Sequence, residues 1–403
     1  MSQTENKEYK PTEENKKTDG AKSAAAVLSS IKRLHFAGIG GISMSSLALW
    51  AKRQGFFVDG SDRSKSALTE MLEKNGIPVK IGQSEENVIG AQAVIYSVAL
   101  HPDNPELVAA AKLSIPCFTR GQFLGFMMSF YKTRIGISGT HGKSTTTAML
   151  SHILLDAGAD PTIACGAVMP ELGGASRIGD EHNIVVYEAC EYRDSFLSFC
   201  PTDAVITNVE LDHTDYFADL NQIIRSFSKS IENAKTVYIN ADNDGACRAV
   251  EGYGGKIVKI SLSDKGADYH AENISYEHGC ARYTLVGKDG PLCDIKLSLI
   301  GKFNIYNSLC AAAVACDHGV APSTVAEALS TFKGVSRRFE RKGEKNGVAV
   351  YDDYAHHPDE VAATLRSLPA LGYNKIFLVF QPHTYTRTHD LWDKWVEIGR
   401  AHV

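Results

Sequence analysis

The segment Gly139-Thr140-His141-Gly142-Lys143-Ser144-Thr145-Thr146-Thr147 decides how this chain folds. It follows a short apolar run at residues 134–138 and precedes a helix-like stretch at residues 148–155. A strand, a glycine-rich turn ending in Lys-Ser and a helix form the layout of a triphosphate-binding loop, because backbone N–H groups and the positive end of the new helix face the phosphate oxygens. This arrangement predicts that the protein uses ATP. The predicted nucleotide-binding residues of the loop are Gly139, Thr140, His141, Gly142, Lys143, Ser144 and Thr145.

Two side chains of this loop have defined chemical roles. Lys143 would neutralise charge on the β- and γ-phosphates, and the hydroxyl of Ser144 would ligate Mg²⁺. Ile137 occupies the position of the first glycine of the full P-loop pattern, so the motif is the shorter GxxGK[ST]. A glycine-rich turn with a solvated lysine is the alternative interpretation, and the flanking strand and helix favour ATP binding over it.

The composition is that of a globular protein with several domains. The chain has 403 residues, of which 44% are hydrophobic and 22% charged, and its formal net charge is −5. This length exceeds the usual span of one hydrophobic core, so we expect two to three domains. No basic run with interleaved aromatic residues accompanies the slightly acidic balance, so we expect no nucleic-acid partner.

The cysteine pattern and the N-terminal segment predict a cytoplasmic protein. The 9 cysteines are scattered without a CxxC pair, which is typical of reduced thiols rather than of a disulfide framework. No apolar stretch approaches the ~18 residues of a membrane-spanning helix, so we expect no membrane insertion. Residues 1–22 are rich in Lys, Glu and Thr and lack the apolar core of a signal peptide, so we expect residues 1–30 to be a disordered tail.

Apolar strand-like runs alternate with helical-period stretches from residue 31 onward. This alternation predicts an α/β fold with mostly parallel sheets. We expect a first α/β domain at 31–130, a central ATP-binding domain at 131–334 and a last domain at 335–403. The last domain offers only two strand-like runs, at 348–351 and 376–380. Because two strands do not make a buried parallel sheet, either this domain is partial or it docks on something else, and we favour a partial domain.

The first domain opens on a second glycine turn, Gly38-Ile39-Gly40-Gly41, after an apolar run. Gly38 and Gly40 fit a dinucleotide-type turn, whereas Ser43 stands where its third glycine belongs. Asp59 and Asp62 fall at the end of the next predicted strand, where an acid would bind a ribose. A nucleotide site and a tight turn without a ligand are both compatible with this pattern.

Acidic residues and a histidine follow two more predicted strands of the central domain. Glu188 ends the apolar run at 184–188, and Asp212, His213 and Thr214 follow the run at 204–207. The carboxyl ends of parallel strands face the ligand crevice, so Glu188 could hold Mg²⁺ there. A solvated acid, a helix cap at Asp212 or Thr214 and an ordinary surface histidine are the alternatives.

Two polar segments follow the strand-like runs of the last domain, at 352–358 and 381–387. Adjacent histidines point to different sides of a strand or turn, so His356 and His357 do not predict a metal pair. Arg387 with a histidine could pair with a substrate carboxylate. Ordinary loop polarity is the alternative.

Taken together, eight segments resemble the Mur ligases, the enzyme family of peptidoglycan precursor synthesis. The resemblance extends from residue 31 to about residue 398. Eight motifs in the family's order are far more specific than any one of them. The segments are GIGGISMSSLA at 38–48, SGTHGKSTTT at 138–147, YEACEYRDSF at 187–196, ITNVELDHTDYF at 206–217, GKFNIYNSLCAA at 301–312, GVSRRFE at 334–340, DDYAHHPDE at 352–360 and FQPHTYTRT at 380–388.

The resemblance implies three domains: a Rossmann-like N-terminal domain, a central P-loop-type ATPase domain and a Rossmann-like C-terminal domain. It also assigns residues to each ligand. The UDP-sugar would contact Gly38, Ile39, Gly40, Gly41 and Asp62. Beyond the loop, the nucleotide would contact Asn304, Asn307 and Arg337. L-alanine would contact His356, His357, His383 and Arg387.

The resemblance further implies which residues perform the chemistry. Magnesium would be held by Ser144, Glu188 and His213. The catalytic residues would be Lys143, Glu188, His213 and Arg338, where Arg337 or Arg338 would reach the γ-phosphate. Phe303 replaces the histidine that usually precedes Asn304.

The implied reaction is an ATP-dependent ligation. L-alanine would be joined to the carboxylate of UDP-N-acetylmuramate through an acyl phosphate, giving UDP-N-acetylmuramoyl-L-alanine, ADP and phosphate. GIGG at 38–41 and FQPHTYTRT at 380–388 favour this reaction over that of the recycling ligase, which adds a whole tripeptide. A P-loop kinase and a nucleotide-binding protein without turnover are the alternatives outside the family. The sequence leaves the oligomeric state open.

Overall fold

The computed structural model describes residues 26–179, 182–213, 216–277, 279–356, 358–382 and 385–401. These residues form two compact units. The first contains the chain up to residue 130 together with residues 194–200, and the second contains residues 131–193 and the chain from residue 201. Most of the predicted tail at 1–30 lies outside the described residues. The predicted domain bounds at 30, 130 and 334 stay predictions.

The first unit is built on a five-stranded parallel sheet in the order β3-β2-β1-β4-β5. The strand order reverses between β1 and β4, and in such sheets the ligand crevice lies at this reversal. The turn at 38–41, which follows β1, is therefore at the crevice. The strands are β1 Arg33–Ala37, β2 Phe57–Asp62, β3 Val79–Ile81, β4 Ala93–Tyr96 and β5 Cys117–Thr119. The helices are α1 Ile42–Arg53, α2 Ala67–Lys74, α3 Pro105–Lys112 and α4 Arg120–Met128.

A buried group of charges lies inside the first unit. His35 is fully buried, and its Nδ1 lies 2.6 Å from Oδ1 of Asp59 while its Nε2 lies 3.7 Å from Oε1 of Glu106. Burial lowers the pKa of His35, but the hydrogen bonds and charges of the two carboxylates outweigh it and leave the pKa raised. Asp59 is thus a partner of His35, whereas Asp62 is the acid at the turn.

The second unit contains a ten-stranded sheet in the order β15-β14-β13-β12-β11-β10-β6-β9-β7-β8. In this order the neighbouring strands β13, β12, β11, β10, β6, β9 and β7 run parallel. Strands β8, β14 and β15 pair antiparallel at the edges. The strands are β6 Thr133–Ser138, β7 Thr162–Met169, β8 Gly174–Arg177, β9 Ile184–Glu188, β10 Asp203–Ile206, β11 Thr236–Asn240, β12 Lys256–Ser261, β13 Tyr269–Glu277, β14 Cys280–Gly287 and β15 Gly290–Ile300. The helices are α5 Lys143–Asp156, α6 Leu220–Ile231, α7 Asp244–Ala249, α8 Phe303–Asp317 and α9 Pro322–Thr331.

The order of these strands brings the predicted site residues to one edge. β6 lies between β9 and β10, and the register pairs Ile137 with Glu188 and Ser138 with Ile206. The segments that follow the three strands therefore start at the same edge of the sheet. Helices α5 and α8 pack in the core, where Ala148, Leu150 and Ala311 are fully buried. A helix that is apolar on all sides, as α8 is over most of its length, belongs in such a core.

The last segment of the second unit differs from the sequence prediction. Strands β16 Glu340–Lys345 and β17 Val348–Asp352 form an antiparallel pair. The prediction of a strand at 376–380 is wrong, because this run pairs with no strand among the described residues and a strand needs a hydrogen-bonded neighbour. Phe377 and Val379 are 76% and 96% exposed. The helices are α10 Pro358–Ser367, α11 Tyr385–Asp390 and α12 Trp392–Ala401.

None of the helices in the described part of the chain combines the length and apolar character needed to span a bilayer.

Candidate active site

The nucleotide loop, defined here as residues 139–145, depends on two glycines. Gly139 and Gly142 have φ angles of 139° and 85°, which side-chain-bearing residues rarely adopt. A Cβ on Gly139 would collide with Oγ1 of Thr207, and a Cβ on Gly142 would collide with Oδ1 of Asn307. The loop therefore packs directly on its neighbours, and it leads into α5, whose first N–H groups face the loop.

Lys143, the first residue of α5, folds back over the nucleotide loop. Its Nζ donates hydrogen bonds to the carbonyl oxygens of Gly139 at 2.5 Å and Thr140 at 3.1 Å. The same atom lies 3.0 Å from Oε1 and 2.9 Å from Oε2 of Glu191. The side chains of Lys143 and Glu191 are 12% and 2% exposed. A buried carboxylate thus holds the lysine beside the loop.

Burial and charge act in opposite directions on this pair. Burial lowers the pKa of Lys143, but the negative charge of Glu191 outweighs it and leaves the pKa above its usual value. Burial raises the pKa of Glu191, but the positive charge of Lys143 and a hydrogen bond from His213 outweigh it and leave the pKa lowered. Both side chains of the pair are therefore charged near neutral pH.

Ser144 and Glu188 lie together, as the positions of their strands predicted. The Ser144 hydroxyl donates a 2.7 Å hydrogen bond to Oε2 of Glu188, and the N–H of Gly166 donates a 2.9 Å hydrogen bond to the same oxygen. A Cβ on Gly166 would collide with this carboxylate. A hydroxyl and a carboxylate are oxygen donors of the kind that Mg²⁺ prefers, so these two residues fit a magnesium site.

His213 lies beside Glu191 rather than beside Glu188. Its Nε2 is 3.5 Å from Oε1 of Glu191 and 3.8 Å from Oδ2 of Asp212. Glu191, Asp212 and His213 each offer a ligand atom, and these atoms lie within 4.8 Å of one another. Burial lowers the pKa of His213, but the hydrogen bond to Glu191 and the nearby carboxylate charges leave it raised. The predicted metal residues are thus divided between two adjacent groups, which Lys143 and Glu191 connect.

A cavity of about 350 Å³ opens over the nucleotide loop. Asn304 and Asn307, both at the start of α8, line it and are buried. Nδ2 of Asn307 donates a 3.1 Å hydrogen bond to Oδ1 of Asn304, and Oδ1 of Asn307 accepts one of 3.3 Å from Thr146. Phe303 lines the same cavity with 47% of its surface exposed. An aromatic face and fixed amides can receive a nucleobase.

The two arginines that precede β16 both have their guanidinium groups near the Tyr354 ring, at 4.9 Å from its centre for Arg337 and 5.8 Å for Arg338, but only Arg338 lines the cavity over the nucleotide loop. Arg337 has a φ of 62°, and its Nε lies 3.8 Å from Asp352. The contact of either arginine with a phosphate stays a prediction, and of the two Arg338 is the one that faces the cavity.

The residues predicted to bind the amino acid are described only in part. The N–H of His356 donates a 3.0 Å hydrogen bond to Oε2 of Glu360, a residue that lines the cavity over the nucleotide loop. His357 and His383 lie outside the described residues. Arg387 lies in α11, and its side chain is likewise outside the description. Their role toward L-alanine stays a prediction.

The turn at 38–41 in the first unit borders its own cavity, of about 410 Å³. The N–H of Gly40 donates a 2.8 Å hydrogen bond to Oδ2 of Asp62, and a Cβ on Gly40 would lie 2.7 Å from that oxygen. Gly38 has a φ of 76°. Ile39 is buried and Gly41 is the residue before α1.

Sequence reasoning missed three residues of these sites. Arg63 and His101 line the cavity of the first unit and carry or can carry positive charge. Glu191 pairs with Lys143 in the second unit. Glu191 lies three positions after Glu188 at the same strand end, which was a usable signal, whereas Arg63 and His101 belong to no recognisable spacing.

Three family models match the chain. The model described as "Mur ligase family, catalytic domain" matches residues 33–132, "Mur ligase middle domain" matches residues 137–315, and "Mur ligase, glutamate ligase domain" matches residues 337–400. The chain is 44% identical over 371 residues to the UDP-N-acetylmuramate–L-alanine ligase of Caldicellulosiruptor bescii, and the alignment covers 91% of this chain and 81% of that protein.

Two solved structures are similar in fold along most of the chain. The UDP-N-acetylmuramate–alanine ligase of Thermotoga maritima has a TM-score of 0.76 and 29% identity, with 91% of this chain and 89% of that chain covered. A murein peptide ligase of Psychrobacter arcticus has a TM-score of 0.72 and 27% identity, with 88% of this chain and 79% of that chain covered.

Proposed function

The chain belongs to the Mur ligase family, and we propose that it joins L-alanine to the carboxylate of UDP-N-acetylmuramate with consumption of ATP. The observation that carries this proposal is the resemblance to relatives named for that reaction, which extends over 91% of the chain. The geometry of the nucleotide loop supports it independently. Ser144 contacts Glu188 and Lys143 contacts Glu191 at the neighbouring ends of β6 and β9, which places a cation and oxygen ligands for a metal together, as phosphoryl transfer needs.

The first step is the attack of the sugar's carboxylate on the γ-phosphate of ATP. A carboxylate oxygen forms a bond to phosphorus while the bond to the β–γ bridging oxygen breaks, giving an acyl phosphate and ADP. The two reactants are both anions, so the site must neutralise charge. Lys143 from the nucleotide loop and Arg338 from the segment before β16 are the cations proposed for this task. Bound Mg²⁺ would add positive charge at the phosphate oxygens. Ser144 and Glu188, which lie together, are the residues proposed to hold it, whereas His213 lies in the neighbouring group with Glu191.

The second step is the attack of the L-alanine amine on the acyl carbon. The amine must be neutral to act as a nucleophile, and the phosphate leaves with the oxygen that formerly belonged to the carboxylate. Water would destroy the acyl phosphate, so its exclusion is part of the function. His356, His357, His383 and Arg387 are proposed for the amino-acid side, and the carboxylate of L-alanine is the group that Arg387 would pair with.

The first unit is proposed to bind the UDP part of the sugar nucleotide. The turn at 38–41 follows β1 at the reversal of strand order, where backbone N–H groups can receive a diphosphate. Asp62 restrains this turn through Gly40. Arg63 and His101, which line the same cavity, are additional candidates for contacts with the diphosphate.

Phosphate release in the presence of different substrate combinations tests this proposal. We expect release only when UDP-N-acetylmuramate, L-alanine and ATP are all present. Release that does not need L-alanine would indicate a kinase or an ATPase and would contradict the proposal. A preference for the tripeptide over L-alanine would identify the recycling reaction, to which the Psychrobacter arcticus structure gives some weight.

A further inference from the structure

Glu191 belongs to two groups of side chains, and each group would pair its carboxylate with a different cation. In one group, its carboxylate pairs with Nζ of Lys143 at 2.9 Å. In the other, it lies with Asp212 and His213 in an arrangement whose ligand atoms are within 4.8 Å of one another. The first group supplies a positive charge to Glu191, and the second could supply a divalent cation. One carboxylate is thus common to the lysine of the nucleotide loop and to a possible cation site.

The two partners of Glu191 exclude each other. A divalent cation bound by Glu191 and His213 would lie within a few ångströms of the Lys143 ammonium group, and like charges at that distance repel strongly even at a high effective dielectric constant. Glu191 is 2% exposed, so water offers little compensation for its charge. The Glu191 carboxylate therefore pairs with one cation at a time, and in this structure that cation is the Lys143 ammonium group.

The lysine is held where a nucleotide would compete for it. Nζ also donates to the carbonyl oxygens of Gly139 and Thr140, which belong to the nucleotide loop itself. A triphosphate in the loop offers charged oxygens in place of these neutral carbonyls, and charge-assisted hydrogen bonds are about twice as strong as neutral ones. A triphosphate also carries more negative charge than the single carboxylate of Glu191, so phosphate binding shifts Lys143 from Glu191 towards the phosphates.

We infer that Glu191 is a positioning residue that couples the nucleotide loop to a metal ion. It holds Lys143 while the loop is empty, and it coordinates a divalent cation together with His213 once a triphosphate has drawn Lys143 away. The inference rests on the proposed function in that the loop must bind ATP. Its consequence is an order of binding, in which nucleotide precedes the cation at Glu191.

The first experiment uses no nucleotide. Mn²⁺ binding to the full chain is measured from the electron paramagnetic resonance signal of the free ion. We expect Lys143→Met to bind Mn²⁺ about tenfold more tightly than the wild type, because the competing ammonium charge is gone. Adding Glu191→Gln should abolish this gain, whereas adding Glu232→Gln, which removes an exposed carboxylate elsewhere, should preserve it. Equal Mn²⁺ affinity of Lys143→Met and the wild type, or a gain that survives Glu191→Gln, would overturn the inference.

The second experiment adds a non-hydrolysable ATP analogue, whose binding is measured separately by calorimetry. With the analogue bound, the wild type should bind one more Mn²⁺ per chain than Glu191→Gln does. The same Mn²⁺ count in both proteins would overturn the inference. Failure of the wild type to bind the analogue would instead contradict the proposed function, and the first experiment would still decide whether Lys143 and a cation compete for Glu191. Far-UV circular dichroism identifies any variant that does not fold.

Discussion

The turn at 38–41 and the nucleotide loop at 139–145 share a strand, a glycine-rich turn and a helix, but they differ in the charges around them. The first turn is restrained by one acid, Asp62, and opens on a cavity that also contains Arg63 and His101. The nucleotide loop contains Lys143, which forms an almost fully buried charge pair with Glu191. Glycine spacing therefore indicates where phosphates can bind. Buried, paired charges indicate where their chemistry can take place, because electrostatic stabilisation is strongest where water is excluded.

The largest effect should follow from Lys143→Ala. The turnover number should fall by about 10²–10³, the usual loss when one electrostatic group of an active site is removed. Phosphate release measures it. Affinity for UDP-N-acetylmuramate, measured by calorimetry, should stay unchanged because the turn at 38–41 is in the other unit. If a folded Lys143→Ala protein lost sugar binding, the assignment of different tasks to the two turns would be wrong.

A smaller but still clear difference should separate Gly142→Ala from Gly38→Ala. Both glycines have positive φ angles, 85° and 76°, which cost a side-chain-bearing residue about 1–2 kcal/mol. Only Gly142 adds a collision, with Oδ1 of Asn307, whereas a Cβ on Gly38 would meet nothing nearer than Leu100 at 3.9 Å. The melting temperature should therefore fall further in Gly142→Ala than in Gly38→Ala, and affinity for an ATP analogue should fall only in Gly142→Ala. Equal decreases of the melting temperature in both variants would mean that the two turns accommodate a side chain equally well.

Removing the acid of the first turn should have a moderate effect. Asp62→Ala deletes the acceptor for the Gly40 N–H, and the net contribution of one hydrogen bond is about 1 kcal/mol, or roughly fivefold in affinity. The Michaelis constant for UDP-N-acetylmuramate should rise by about this factor, and that for ATP should not change. An equal rise in the Michaelis constant for ATP would contradict the assignment of the two substrates to separate sites.

The smallest effect concerns the pH dependence of stability in the first unit. The pKa of His35 is raised in the folded protein. Its contribution to the free energy of unfolding is therefore fully present below the unfolded pKa near 6.5 and is lost as pH rises through the folded pKa. The pKa values of Asp59 and Glu106 are lowered, so their contribution is present above the unfolded values near 4 and is lost as pH falls through the folded pKa values.

These opposite dependences predict that the interactions among His35, Asp59 and Glu106 stabilise the folded protein most between about pH 5 and 6.5. The melting temperature of the first unit should therefore decrease from pH 6.5 to pH 8, and His35→Gln should flatten this part of the curve. Circular dichroism melts across the pH range measure it. A wild-type curve as flat as that of His35→Gln would show that the buried histidine is uncharged in the folded protein.

Much of the nucleotide site could be predicted, because it depends on local pattern and on strand ends. Lys143 and Ser144 follow from the loop motif, and the closeness of Ser144 to Glu188 follows from the rule that parallel strands carry their ligands at the carboxyl edge. Glu191 was not assigned. Its position three residues after Glu188 was a signal that it lies near the loop, but it follows the end of β9, where no period fixes the direction of a side chain. His213 was predicted beside Glu188, but its nearest carboxylates are Glu191 and Asp212.

The fold was predictable to a similar degree. Alternating strands and helices predicted α/β architecture, which the sheets and the matched family models confirm. The antiparallel pairing of β13, β14 and β15 was not foreseen, although it is local. β14 begins at Cys280, close after the end of β13 at Glu277, and only residues 288 and 289 separate β14 from β15, which is the spacing of a tight hairpin. The apolar run at 376–380 has strand-like composition but no neighbouring strand among the described residues. Composition therefore indicates the capacity to form a strand, and pairing decides the outcome.

The central claim is that the terminal phosphoryl group of ATP, held by the nucleotide loop, is transferred to a carboxylate oxygen of the sugar. It is tested most directly by supplying UDP-N-acetylmuramate whose carboxylate oxygens are ¹⁸O, together with L-alanine and unlabelled ATP, and analysing the released phosphate by mass spectrometry. Transfer through an acyl phosphate predicts that each phosphate carries one ¹⁸O atom from the carboxylate. Phosphate free of ¹⁸O, released together with the ligated product, would contradict it.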